Sequence, residues 1–339
     1  MKIFAGHDGG SGCAWYRVKA PLAELARHDG YEVAFADAGD DGHPPVVTLD
    51  MLRGHDVIVA QRWNKHDGLG TWRRARTPTS RLVYDLDDDL WNITPENWQA
   101  YQLYNRPDIR DATEHAAETA DLVTVSTEPL AQVMRQFSDR VTVLPNAIPG
   151  WVTRLPHTLH RRPRVGWQGG ASHGIDLGQV ASPVRRFLKR FPDWDLQLNG
   201  QDYRDTFRVP AGRAFLVPWV PVYHNPEKYY TSITFDIGIA PLWPTTFSAS
   251  KSAIKVIEYG ARGIPSVASD CPAYSGVITH GVDGFLVKRD HEWLKYLSEL
   301  AGDDDLREKM GQAAQDMARR HLIEDHWPAW AGAYAGLFR

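Results

Sequence analysis

Along this chain the apolar residues gather into short β-rich runs, separated by longer stretches in which they recur every three or four positions. One series is Lys2-Ile-Phe-Ala, Glu32-Val-Ala-Phe, Val57-Ile-Val-Ala, Leu82-Val-Tyr-Asp, Leu122-Val-Thr-Val and Val141-Thr-Val-Leu. A second is Arg164-Val-Gly-Trp, Leu196-Gln-Leu-Asn, Ala214-Phe-Leu-Val, Ile237-Gly-Ile-Ala, Ser266-Val-Ala-Ser and Gly284-Phe-Leu-Val. Four-residue β-branched runs alternating with helical periodicity predict parallel, doubly wound α/β sheets. Helices are expected over Tyr16–His28, near Val180–Phe191, over 251–262, and over about Asp325–Phe338, where Trp327, Trp330, Tyr334 and Leu337 mark an apolar stripe.

The chain has 339 residues, more than one core usually holds, so two domains are expected. The boundaries follow the pattern: an N-terminal Rossmann-like domain over 1–150, a basic, proline-containing linker over 151–163, a second Rossmann-like domain over 164–322, and a closing helix over 323–339. Pro145-Asn-Ala-Ile-Pro-Gly150 ends the first domain, with Asn146 as a structural hinge residue. Doubly wound sheets bind ligands beyond the carboxyl ends of their strands, so chemistry belongs in the cleft between the two.

Composition narrows the classes. A hydrophobic share of 43% and a charged share of 24% are those of an ordinary globular protein, and a net charge of −4 gives no general pull toward nucleic acid or anionic membrane. No 18-residue apolar run occurs and the chain enters a strand from Met1, so stable membrane insertion is not expected and a cytoplasmic location is. Two cysteines, Cys13 and Cys271, make neither a disulfide framework nor a metal-ligand spacing. Thirteen tryptophans leave some available to stack on sugars or bases.

Asp236 to Val287 carries the most chemistry. With residues 251–262 helical, Lys251, Lys255 and Glu258 share one stripe beside the apolar Ile254, Ile257 and Ala261. Two lysines four apart repel, and a cation in a first helical turn opposes the dipole. A phosphate held by the lysines and by the amides of Ser252, Ala253 and Ile254 resolves both conflicts. Glu258 would then accept hydrogen bonds from neutral hydroxyls such as those of a ribose. The competing reading is a solvated face with a Lys255–Glu258 surface pair.

Four loops add candidates. Gly6-His-Asp-Gly-Gly-Ser-Gly12 follows the first strand but lacks a dinucleotide or P-loop pattern, and its glycines also suit a tight turn. Arg17 follows on the next helix, placed to meet a phosphate or an acceptor carboxylate. The acidic run Tyr84-Asp-Leu-Asp-Asp-Asp-Leu-Trp91 offers Asp85, Asp87 and Asp88 as ligands for a hard cation, as partners of acceptor or sugar hydroxyls, or as helix caps. Gly169-Gly170 with His173 stands after another strand, and Val217-Pro-Trp-Val-Pro-Val222 presents Trp219.

Asp236-Ile-Gly-Ile-Ala-Pro-Leu242, Glu258-Tyr-Gly-Ala-Arg-Gly-Ile-Pro-Ser-Val-Ala-Ser269 and Gly281-Val-Asp-Gly-Phe-Leu-Val287 together resemble the retaining GT-B glycosyltransferases of the group 1, or family 4, type. The resemblance implies two Rossmann-like domains facing across a cleft, with the last helix packing back on the first domain. It implies a nucleoside diphosphate sugar as donor, transfer with retention to a hydroxyl acceptor, and no metal or other cofactor. Glu258 matches the family's ribose-binding Glu. Eight residues earlier, where the family carries a second Glu that holds the donor sugar, this chain has Ser250. Gly9, Gly10, Gly169 and Gly170 then border the donor phosphates, His173 and the lysines face the leaving diphosphate, and Trp219 meets the base. Arg17, Asp85, Asp87 and Asp88 are expected on the acceptor side. The acceptor itself is open: a glycan, a lipid-linked sugar, a protein, a small molecule or modified DNA. Two further readings suit the same fold, a sugar-nucleotide epimerase or phosphorylase and a non-catalytic nucleotide- or glycan-binding protein.

Overall fold

The computed structural model describes residues 1–7, 9, 11–36, 46–158, 160–210 and 212–339, with backbone alone at 66 and 67. Every predicted strand forms. β1 (Lys2–Gly6), β2 (Glu32–Phe35), β3 (Val57–Gln61), β4 (Arg81–Leu86), β5 (Leu122–Val125) and β6 (Val141–Val143) make one sheet in the order β2-β1-β3-β4-β5-β6. β7 (Arg164–Gly169), β8 (Asp195–Gly200), β9 (Ala214–Pro218), β10 (Ile237–Ala240), β11 (Ser266–Ser269) and β12 (Gly284–Val287) make the other, in the order β12-β11-β10-β7-β8-β9. All neighbours pair parallel. Both faces of each sheet are covered, which is why the strands read as continuous apolar runs. Ile3, Val59 and Val83 face Val18, Leu22, Trp330 and Tyr334, while Phe4, Ile58 and Tyr84 face Trp72, Ala116 and Leu130.

Strand order reverses between β1 and β3 in the first sheet and between β7 and β10 in the second. At such a reversal the following loops part to opposite sides and leave a crevice. The two sheets are tied where the chain crosses between them. Ile148 N–H donates to His321 O at 3.0 Å, Ile323 N–H returns to Ile148 O at 2.9 Å, and Gly150 N–H reaches Glu324 Oε1 at 2.9 Å. The closing helix, Ile323–Ala335, packs on the first sheet, with Trp330 and Tyr334 buried there and the Arg17 guanidinium 5.0 Å above the Trp330 ring.

Two helices differ from expectation. The first is built of Gly12–Ala14, a π-helical turn over Trp15–Lys19, and Ala20–Leu25. The wider turn lets Trp15, Tyr16, Arg17 and Val18 all be buried, which a regular helix on a surface does not allow. The helix expected over 251–262 runs from Ile254 to Ala261, behind a separate short helix, Thr246–Ala249. Lys251 and Ser252 precede it, so the two lysines do not share a helical stripe and Lys251 is free of the dipole conflict.

Candidate functional site

The second sheet's reversal point is lined by β7 and by the loop and helix after β10. Lys255, in the first turn of Ile254–Ala261, donates to the Gln168 carbonyl at the end of β7 and lies 5.0 Å over the Trp167 ring. No ion-pair partner for it stands among the described residues. Burial, only partly offset by Glu258, pushes its ammonium down to about 8. Gly169 has to be glycine here: a Cβ would lie 2.5 Å from Trp167 and 3.2 Å from the Lys255 nitrogen. Gly200 closes the same corner at φ +98°, where a Cβ would stand 2.3 Å from the Gly169 oxygen. Among the described residues, nothing accepts the backbone N–H groups of Ser252 and Ala253, which lead into the helix N-terminus.

His173 follows on the turn after β7. Its Nδ1 is 2.7 Å from Asp176 Oδ2, and Asp176 Oδ1 accepts the Trp243 N–H at 2.7 Å, which ties the turn to the loop after β10. Burial overrides the Asp176 bond and, with Lys255 and Lys251 nearby, holds the imidazole down at about 4. His173 is therefore a neutral ring. A carboxylate only accepts, so the proton sits on Nδ1 and Nε2 carries a lone pair.

Across the cleft the first sheet presents Arg62, directly after β3 and at φ 54°, a left-handed conformation uncommon for a non-glycine residue. Its guanidinium reaches Asp88 Oδ2 at 2.5 Å, and Lys251 Nζ meets Asp88 Oδ1 at 3.1 Å from the other domain. Burial works against the Asp88 charge, but the two cations outweigh it and keep the carboxyl far below its usual range. Asp87, 3.7 Å from Arg62, is shifted the other way, upward by burial. Cys13 Sγ comes within 4.8 Å of ligand atoms of Asp87 and Asp88. This set suits a hard divalent cation poorly, since it includes a thiol and its one strongly ionised carboxylate is already held by two cations.

Glu258 is 3% exposed. Its Oε1 accepts from the hydroxyls of Tyr16, in the first domain, and Tyr229, at 2.9 Å, in the second. Tyr16 and Tyr230 hydroxyls are 3.0 Å apart, and Trp15 Nε1 donates to Tyr230 at 3.2 Å. Burial raises the Glu258 carboxyl against the pull of Tyr16 and Lys255.

Lys251, Lys255, His173, Asp87, Asp88, Gly169 and Gly170 thus come together around one cleft, and Glu258 lies one turn behind Lys255. Ser252 Oγ accepts from Asn146 Nδ2 at 3.0 Å, so the expected hinge residue touches the loop that leads into the Lys255 helix. Ile254 opens the helix and Ala253 caps it. Trp219, 46% exposed, follows β9 and leans on Gly200. Gly9 adopts φ 142° after β1, and Gly10 lies outside the described residues. Arg17 and Asp85 are not in the cleft. Both are 0% exposed and pair with each other at 2.7 Å, Arg17 also donating to Asn146 Oδ1 at 3.0 Å and Asp85 accepting from Thr124 at 2.7 Å. The inward turn of Arg17 follows from the π-helical turn, and an acceptor cannot reach either residue. Ser250 is 2% exposed, its hydroxyl turned back to the Thr246 carbonyl and its own carbonyl taken by Thr127 at 2.7 Å from the first domain.

Arg62, Asp176, Tyr16 and Tyr229 are site residues the sequence reading did not single out for these roles. Only a basic residue directly after a strand, for Arg62, gave any local signal.

Residues 216–317 match the model of the glycosyl transferases group 1 family. No curated protein matches the sequence. Among solved structures, Anabaena Alr3699/HepE in complex with UDP and glucose superposes with a TM-score of 0.69 at 16% identity, covering 99% of this chain and 100% of that one. Sucrose-phosphate synthase from Thermosynechococcus elongatus gives 0.66 at 14% identity, with 99% and 98% covered. S. aureus TarM, in complex with fondaparinux, α-GlcNAc-glycerol and UDP, gives 0.58 at 13% identity, and the match covers 82% of this chain but 55% of TarM. The two parallel six-stranded sheets are those of a GT-B fold.

Proposed function

We propose that this GT-B protein transfers a glycosyl group from a nucleoside diphosphate sugar to a hydroxyl acceptor, with retention of configuration and without a metal. The observation that carries the reading is Lys255: a half-buried ammonium at the reversal point of a parallel sheet, with no ion-pair partner among the described residues, beside the helix-leading amides of Ser252 and Ala253, for which no acceptor stands among the described residues either. A cation is costly to keep there unless an anion visits. HepE and TarM were both solved with UDP, which agrees with a diphosphate as that anion.

On this reading the donor diphosphate lies against Lys255 and the amides of Ser252, Ala253 and Ile254, with Lys251 reaching it from the loop. As the glycosidic bond breaks, negative charge grows on the leaving phosphate, and these fixed donors stabilise it without reorganising. Glu258 holds the nucleoside, and Trp219 offers its exposed face to the base. His173 Nε2 accepts a sugar hydroxyl. Asp87 and Arg62 form the acceptor side. The leaving phosphate itself takes the acceptor proton on the same face, which gives retention without a carboxylate nucleophile.

Ser250 favours a second reading, a binding protein without turnover, because its buried hydroxyl replaces the carboxylate that holds the donor sugar in the resembled family. A screen of nucleoside diphosphate sugars against hydroxyl acceptors, read by mass spectrometry, separates the two. Transfer from at least one donor supports the proposal, epimer formation without acceptor points to the epimerase class, and tight diphosphate binding with no product from any pair supports the non-catalytic reading.

A further inference from the structure

We infer that Tyr16 makes the nucleoside subsite tolerant at the 2′ position, so that 2′-deoxynucleoside diphosphates bind about as well as their ribonucleoside counterparts. The inference rests on the assignment of Glu258 to the nucleoside proposed above.

A carboxylate oxygen has two lone-pair sites. Glu258 Oε1 spends both on the hydroxyls of Tyr16 and Tyr229. Tyr16 is not a passing neighbour. Its hydroxyl is fixed by Tyr230 at 3.0 Å, Tyr230 is fixed by Trp15 Nε1 at 3.2 Å, and the π-helical turn sets Trp15 and Tyr16 side by side against the other domain. All these side chains are buried. Glu258 Oε2 makes no hydrogen bond among the described residues, so it is the oxygen left for a ligand.

A cis-diol makes two parallel hydrogen bonds when each hydroxyl has its own carboxylate oxygen; with both hydroxyls on Oε2 alone the second bond would be bent and weak. With one oxygen in play, a single hydroxyl is anchored, and the 3′-hydroxyl common to both nucleoside classes suffices. Where a 2′-hydroxyl has its own charged acceptor, removing it costs about ten- to a hundredfold in affinity. Here it has none.

The test is titration calorimetry of the full chain with paired ligands: UDP and dUDP, GDP and dGDP, ADP and dADP. For the tightest pair we expect wild-type affinities within about threefold of each other, and Tyr16→Phe, which frees a lone pair on Oε1, to open a preference of about tenfold for the ribo form. A wild-type preference of about tenfold or more for the ribo form overturns the inference while leaving the diphosphate reading standing, and this ratio decides even if Tyr16→Phe does not fold. An unchanged ratio in folded Tyr16→Phe overturns it equally. If none of the six ligands binds, the nucleoside diphosphate reading falls, and the inference falls with it.

Discussion

Lys255→Met removes a half-buried charge while keeping an unbranched side chain of similar length, and the pH dependence of its effect follows from the structure. The ammonium sits at about 8 against an ordinary 10.5, with burial as the main cause. That lowering corresponds to about 3 kcal/mol by which the fold disfavours the charged form. The sign runs one way. Between pH 8 and 10.5 the folded protein has released this proton and the unfolded chain still holds it, so wild-type stability rises with pH there relative to the variant. Below pH 8 both states are protonated and the difference is flat. Urea denaturation of wild type and Lys255→Met at pH 7, 8.5 and 9.5 checks this: the gap should move toward the wild type by on the order of 2 kcal/mol between pH 7 and 9.5. Adding the bound diphosphate reverses the logic, because the anion favours the charged form. Wild-type affinity for the diphosphate should therefore fall as pH rises through 8, and the variant should bind weakly at every pH. A stability gap independent of pH, or equal diphosphate affinity in the two proteins, refutes the assignment of Lys255 as a cation held ready for an anion.

Three other outcomes follow from the same geometry. Arg17→Met leaves Asp85 charged and wholly buried, and should cost about 3–5 kcal/mol in urea denaturation while leaving no selective effect on acceptor affinity. Trp219→Ala should weaken nucleoside diphosphate binding by about 1–3 kcal/mol, the range for loss of a base-stacking aromatic, and leave the melting temperature close to that of wild type. Gly200→Ala forces a Cβ onto the Gly169 oxygen and strains a φ of +98°. Its diphosphate affinity should drop about tenfold or more, since the displaced Gly169 turn carries the Lys255 contact; an affinity within twofold of wild type on calorimetry would falsify the role given to that corner.

Strands were legible because their signal is local. Central runs such as Val57-Ile-Val-Ala are buried on both faces, so composition alone marks them. The start of the Lys255 helix was not, because Lys251 leaves the helical path to meet Asp88, 163 residues away in sequence, and nothing nearby records that. Arg17 and Asp85 were read as cleft residues for a related reason. A buried ion pair and a pair of site charges have the same sequence signature, and only the π-helical turn decides between them. Glu258 was recognisable by resemblance, whereas its partner Tyr16 lies 242 residues earlier on another domain. Arg62 showed only as a basic residue directly after a strand, since its left-handed backbone exists only in the fold.

On the proposed function, the two domains bind each other through groups that the donor would also use. Lys251 is held by Asp88, Glu258 by Tyr16, Ser252 by Asn146, and the Ser250 carbonyl by Thr127, each partner coming from the first domain. A diphosphate at Lys251 and the Ser252 amide, together with a nucleoside hydroxyl at Glu258, would compete with or add to these contacts one by one. Lys255 is the exception, having no partner on the first domain among the described residues. It is therefore the group able to capture the anion first, at no cost in interdomain contacts. Lys251 would follow only by leaving Asp88, which then faces Arg62 alone. On the proposed function, the order of engagement is Lys255 first and Lys251 second, so Lys255→Met should slow donor association, whereas Lys251→Met should speed donor dissociation. Stopped-flow binding that showed both variants altered only in the dissociation rate would contradict this order.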